Sequence, residues 1–153
     1  MITIDRVGWD DADAVRLRDA MTAEIREMYS DDPTSQNRDG RLDIDPVSIV
    51  LTVLLRDDER PVGHVALRRM GEDLEIKRMY VVPERRGGDL ADQLLAAVEH
   101  EARTLAAPRL ILHTGDRQRA ALAFYSRHGY TPIDVYPPYE QLAYSQCFEK
   151  VLG

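Results

Sequence analysis

The stretch Tyr80-Val81-Val82-Pro83-Glu84-Arg85-Arg86-Gly87-Gly88-Asp89-Leu90-Ala91-Asp92-Gln93-Leu94-Leu95 reads as a strand end, a short basic loop and the start of an amphipathic helix. Ahead of the loop, Ile76, Met79, Tyr80, Val81 and Val82 form a run rich in the β-branched and aromatic residues that favour strands. Pro83 stops the ladder because it has no N–H to donate. Beyond the loop, Leu90, Leu94, Val98, Ala102 and Leu105 recur at helical spacing and define one apolar stripe. Gly87 and Gly88 free the backbone between them, so that consecutive N–H groups can turn toward one point. That point is the positive end of a helix, which suits phosphate. Arg85 and Arg86 stand where they can add charge-assisted bonds to phosphate oxygens. The competing reading is a plain turn followed by a solvated pair of arginines.

Upstream, Ile2 to Arg6 alternates as a first strand does, and Asp10 or Asp11 can cap a helix whose buried face is Ala14, Leu17, Met21, Ile25 and Met28. Ser30 to Pro46 is polar and is expected to be a loop or a frayed helix. Strands are expected over Ile49–Leu55 and Val62–Leu67, joined at Asp57–Arg60, and over Leu74–Val82 after a turn at Gly71–Asp73. Downstream, Pro108 punctuates the helix exit, and Leu110-Ile111-Leu112 suits a strand buried on both faces. A second helix opens after Gly115 and Asp116 and closes at His128-Gly129-Tyr130, with Gly129 in the left-handed C-terminal position. Ile133 lies on a short strand, Tyr136-Pro137-Pro138-Tyr139 forms a stiff loop, and Ala143–Leu152 makes the last strand. Two strand–helix units between antiparallel flanks give a mixed α/β sheet.

The order strand, Val-x-Pro, Arg-Gly, helix resembles the acyl-CoA loop of the GNAT superfamily of N-acetyltransferases. The family pattern is Arg or Gln, two residues, Gly, one residue, then Gly or Ala; here it runs from Arg86 to Ala91, with Asp89 at the usual glycine. Ala121-Leu122-Ala123-Phe124-Tyr125-Ser126-Arg127-His128-Gly129-Tyr130 is similar to the family's helix ending in Phe-Tyr, and Cys147-Phe148-Glu149-Lys150 to its last strand. The resemblance covers roughly residues 45 to 152. It implies a single-domain α/β (α+β) fold: a mixed central sheet splayed between strands four and five and flanked by helices. It further implies transfer of an acetyl group from acetyl-CoA to a primary amine by direct attack.

On this resemblance Met79, Tyr80 and Val81 border the pantetheine arm, with main-chain bonds from Met79 and Val81. Arg85, Arg86, Gly87, Gly88, Asp89, Leu90 and Ala91 surround the pyrophosphate, and Gln118 takes the place of a family asparagine. Asp89 competes with a pyrophosphate for the helix N-terminus, so its side chain is expected to turn away. Tyr125 matches the family's tyrosine near the sulfur. With a phenol pKa of about 10 and a thiol of about 8.5, it serves better as a hydrogen-bond donor to the thiolate than as a full acid. The alternative is a core aromatic. Glu75 is the family-position candidate for the base, against a surface carboxylate; plain alternation puts it on one face with Lys77 and Met79. His113 is the second candidate. Cys147 reads as a buried strand thiol rather than a nucleophile, and no metal-ligand spacing is present.

The 153 residues suit one domain, and a net charge of −7 argues against a nucleic-acid partner. The single cysteine excludes an internal disulfide framework and fits a reducing compartment; with no apolar run of membrane length, the cytoplasm is the default location. The partner is expected to be a small-molecule or peptide amine, with its walls in Ser30–Pro46 and Tyr136–Glu140. Asp39, Asp43 and Asp45 could draw in an ammonium group. Edge or last-strand pairing into a homodimer suits the fold. The rival from another class is a non-catalytic acyl-CoA-binding regulatory module. A Rossmann half is disfavoured by the antiparallel flanks and the missing glycine fingerprint.

Overall fold

Backbone turns set by Asp58 and Gly71, both in the left-handed region (φ 55° and 62°), fold three consecutive strands into an antiparallel meander. These are β2 (Ile49–Asp57), β3 (Arg60–Met70) and β4 (Asp73–Val81). The computed structural model describes residues 1–32 and 43–153. Strand β1 (Ile2–Arg6) pairs with β2, and helix α1 (Ala12–Met28) follows it. Asp11 caps α1, accepting from the N–H groups of Asp13 and Ala14 at 2.9 and 3.1 Å. After β4, a single 3-10 turn at Pro83–Arg85 leads into α2 (Leu90–Thr104), then β5 (Arg109–Gly115), α3 (Arg119–Arg127), β6 (Thr131–Ile133) and β7 (Ser145–Val151). The seven strands form one sheet in the order β1-β2-β3-β4-β5-β7-β6, in which only the β4–β5 pair is parallel. No helix among the described residues is long and apolar enough to cross a membrane.

The main core lies on one face of the sheet. Leu90, Leu94, Leu95, Val98 and Ala102 of α2 pack there against Val53, Leu55, Val65, Leu67, Ile76, Leu110 and Leu112, joined by Tyr125. Leu105, expected at the end of the same stripe, caps the helix and is 43% exposed, because the chain has already turned toward β5. On the opposite face α1 contributes Ala14 and Leu17 against Leu54 and Tyr80. Met28, expected on the buried face of α1, is instead exposed at the helix end.

Strand β4 carries a bulge. Ala66 pairs with Lys77 and His64 with Tyr80, so Val65 alone stands opposite Arg78 and Met79, with Arg78 in the left-handed region (φ 55°). The extra residue resets the alternation. Glu75, Lys77 and Tyr80 share the α1 face, while Ile76, Met79 and Val81 pack with the main core. The expectation that Met79 shares a face with Glu75 is therefore corrected: simple alternation fails where one residue is inserted.

His64 is fully buried beside this bulge. An Arg18 Nη1 lies 3.0 Å from its Nε2, and the Arg78 carbonyl oxygen lies 2.8 Å from its Nδ1. A guanidinium has no acceptor, so Nε2 must accept and Nδ1 must carry the proton that Arg78 receives. The ring is neutral; burial is the main cause that lowers its pKa from 6.5 to about 4.

The end of β5 is equally tight. A Cβ on Gly115 would lie 2.1 Å from the Tyr29 hydroxyl and 2.7 Å from its ring, which is buried and stacked on Tyr144 at 4.1 Å. Gly115→Ala is expected to lower stability by about 1–3 kcal/mol in urea denaturation. The sign for His64 follows from its lowered pKa. Between pH 6.5 and about 4 the unfolded chain takes up a proton that the folded chain refuses. Its contribution is therefore complete above pH 6.5 and declines by about 1.4 kcal/mol per pH unit as pH falls through that window. Denaturation at pH 7 and pH 5 should show a shallower decline for His64→Gln than for the wild type.

Candidate active site

The parallel pairing of β4 with β5 consists of Leu74–Leu110, Glu75–Ile111 and Ile76–Leu112 and stops there. Beyond Ile76, β4 keeps its bonds to β3, while β5 continues against β7. The facing edges part, leaving main-chain groups to be met from outside. A cleft of about 810 Å³ opens at the gap. Its walls are Met79, Tyr80 and Val81 of β4, then Arg85, Arg86, Gly87 and Gly88 of the loop, with Leu90 and Ala91 of α2. Gln118 and Tyr125 close it from the α3 side, and Met21, Glu24 and Ile25 from α1. The sequence-derived cofactor residues thus converge on one cavity, with Asp89 the exception. Its side chain makes no capping bond to α2, it is exposed, and it lies outside the cleft lining.

Arg85 and Arg86 both hold protein carboxylates. Arg85 donates to Asp57 at 2.5 Å; Arg86 grips Glu24 with both terminal nitrogens at 2.8 and 2.9 Å and donates through Nε to the Val81 carbonyl at 2.8 Å. Arg86 therefore braces the loop against β4 and α1. Gly87 sits at φ 89°, where a side chain would be strained, and a Cβ on Gly88 would meet only open space. Such a cradle admits a bulky anion close to the backbone at the N-terminus of α2. Arg119 and Arg127 on α3 also line the cleft and carry no ion pair among the described residues. No motif marks them; their signal in the sequence is two cations eight residues apart beside Tyr125.

Tyr125 is 6% exposed, and burial pushes its pKa well above the ordinary phenol value. Its hydroxyl donates to the Met79 Sδ at 3.6 Å, a weak acceptor. The group is a protonated donor at neutral pH that little holds in place. Gln118 starts α3 with its side chain making no cap bond.

Glu75 and His113 lie elsewhere, on the α1 face. Glu75 is fully buried; Arg68 Nε donates to it at 2.6 Å and the Tyr136 hydroxyl at 2.5 Å, with Lys77 Nζ at 3.9 Å. Glu75 is a counter-ion within a closed polar cluster. His113 stacks on Tyr139 at 3.9 Å and bonds Ser145 at 2.9 Å; burial, aided by Lys77 and Arg78, lowers its pKa to about 3. A base that weak takes little proton from an ammonium near neutrality. Cys147 is buried, and burial raises its pKa. Lys77 donates to the Tyr139 hydroxyl at 2.5 Å, and burial lowers its pKa to about 8. Of the three aspartates expected to steer an ammonium group, Asp39 lies outside the described residues. Asp45 caps the 3-10 turn at Pro46–Ser48.

The family profile described as acetyltransferase (GNAT) family matches residues 14–130. An IAA acetyltransferase from Azospirillum brasilense is 36% identical over 90 residues, 59% of each chain. An aminoalkylphosphonate N-acetyltransferase from Salmonella typhimurium is 43% identical over 56 residues, 37% of this chain and 36% of that one. The matched stretches thus span 59% and 36% of these relatives' own length, less than two thirds of either. A solved structure from Klebsiella pneumoniae, of a protein proposed to be an acyl-CoA N-acyltransferase, superposes with a TM-score of 0.82 at 30% identity over 100% of this chain and 99% of that one. The PaiA N-acetyltransferase from Thermoplasma acidophilum, in complex with coenzyme A, shares the fold with a TM-score of 0.70 at 17% identity over 99% of both chains. With the splayed sheet, the glycine loop and the tyrosine at the gap all in place, the chain belongs to the acetyltransferase (GNAT) family.

Proposed function

We propose that this protein transfers an acetyl group from acetyl-CoA to a primary amine, both bound at once. The observation that carries the reading is the single cavity where the unpaired strand edges, the Gly87–Gly88 cradle and the weakly held Tyr125 hydroxyl meet. The PaiA relative is a complex with coenzyme A, and the same cofactor suits this cleft: open strand edges for amides, a helix N-terminus for diphosphate and free arginines at its rim.

Acetyl-CoA supplies a thioester whose carbonyl carbon forms the new C–N bond as the C–S bond breaks. The chain's own residues position and stabilise. Backbone N–H groups from Gly87 to Ala91 face the phosphates, and the edge of β4 at Met79 and Val81 orients the arm. Tyr125 donates a hydrogen bond to the departing sulfur. Its raised pKa makes outright proton loss unfavourable, so electrostatic stabilisation is the role that remains. The closed state of Glu75 and the low basicity of His113 leave deprotonation of the amine to solvent. That same observation favours a second reading, a non-catalytic acyl-CoA-binding module of the same fold.

Tyr125→Phe separates the two. Thiol release with an amine panel should fall by at least about tenfold, about 1.4 kcal/mol of barrier, while calorimetry shows coenzyme A still bound. Undiminished turnover rejects the role of Tyr125; no turnover by the wild type with any amine supports the binding module.

A further inference from the structure

On the α1 face, Arg68, Lys77 and Arg78 act with one buried carboxylate, Glu75, and Arg18 stands next to Arg78. Arg68 and Lys77 share Glu75. Arg18 spends its donors on neutral acceptors, the His64 ring and the Trp9 carbonyl at 2.5 Å, with its guanidinium stacked 3.5 Å over the Trp9 ring. Arg78 forms no ion pair through its guanidinium among the described residues, although it is only partly exposed. The charged and polar groups acting on it are Tyr139, Arg68, Glu75 and Asp43, and it in turn acts on Arg18, Lys77 and His113. Asp43 has a partner of its own. Burial is the main cause that lowers the pKa of Arg18, Lys77 and Arg78 alike, opposed by Asp19 and Asp11 at Arg18, by Glu75 at Lys77, and by Glu75 and Asp43 at Arg78. Burying such charge is costly unless something pairs with it.

Resting on the acyl-transfer reading above, the geometry points to an acceptor amine that also carries a compact oxyanion, a carboxylate or a phosphonate, seated on the Arg78 guanidinium with Arg18 behind it. The planar fork of arginine matches such groups with two parallel hydrogen bonds. Arg78 immediately precedes Met79, whose sulfur meets the Tyr125 hydroxyl. The anion and the reacting nitrogen are thus served by neighbouring residues of one strand that serve opposite faces of the sheet, so the acceptor spans the gap between β4 and β5. The cofactor's phosphates are not the occupant, because Arg78 lies outside the cleft lining and the cleft has arginines of its own.

The test titrates protein saturated with coenzyme A with 3-aminopropylphosphonate, β-alanine and propylamine in a calorimeter, and measures KM for each with acetyl-CoA. The two anionic amines should bind at least about tenfold more tightly than propylamine. Arg78→Asn, chosen because asparagine tolerates φ 55°, should abolish that preference without lowering Tm or the affinity for coenzyme A, and Arg78→Lys should restore part of it. Equal binding of propylamine, or a preference that survives Arg78→Asn, overturns the anion site while the acyl-transfer reading stands. Coenzyme A giving no heat with folded protein overturns both.

Discussion

One inserted residue in β4 governs the layout of this molecule. With Arg78 left-handed, the strand delivers Lys77 and Tyr80 to the α1 face and Met79 and Val81 to the other. A non-glycine residue in that region costs of order 1–3 kcal/mol. The compensation is visible: the neutral His64 donates to the Arg78 carbonyl and accepts from Arg18, a chain that holds only while the imidazole is unprotonated. Next to the bulge the parallel pairing with β5 ends at Ile76–Leu112. The same short segment therefore opens the gap, aims a thioether at the Tyr125 hydroxyl and leaves a guanidinium on the far side.

Charge is distributed in two distinct pools. The chain is acidic overall, yet the cleft is rimmed by Arg85, Arg86, Arg117, Arg119 and Arg127. Three of these are neutralised by Asp57, Glu24 and Asp31, which makes them braces for the loop and for α1. Arg119 and Arg127 remain to act on whatever enters. Across the sheet Glu75 is outnumbered, and the hydroxyls of Tyr136 and Tyr139 solvate the cluster where water is excluded. A local excess of one sign on low-dielectric walls focuses a field even when the net charge is opposite.

Local signals were legible. Pro83, the glycine pair and the Leu90 stripe mark a strand, loop and helix within a few residues, and Gly129 does take up the left-handed conformation at φ 88°. What could not be read depends on partners distant in sequence. The bulge exists because β4 must register against both Lys77–Ala66 and Tyr80–His64, and nothing near Arg78 announces it. Glu75 reads from the sequence as a strand carboxylate that is either a base or a surface group, and the structure excludes the surface position. The loop bearing Tyr136 and Tyr139, more than sixty residues away, folds over it and seals it. Leu105 fits the helical period but falls where the helix ends, and Arg119 and Arg127 belong to no motif.

The parted edges of β4 and β5 bear on how long the folded chain lasts. Three residue pairs join the two halves of the sheet there, and the helices pack over the join. Any occupant that supplies the missing strand-edge bonds contributes to the folding equilibrium itself, by about 2.7 kcal/mol at a hundred times its dissociation constant. On the acyl-transfer reading, that occupant is the thioester itself, so the closure of the sheet across its own gap is completed by the molecule the protein consumes.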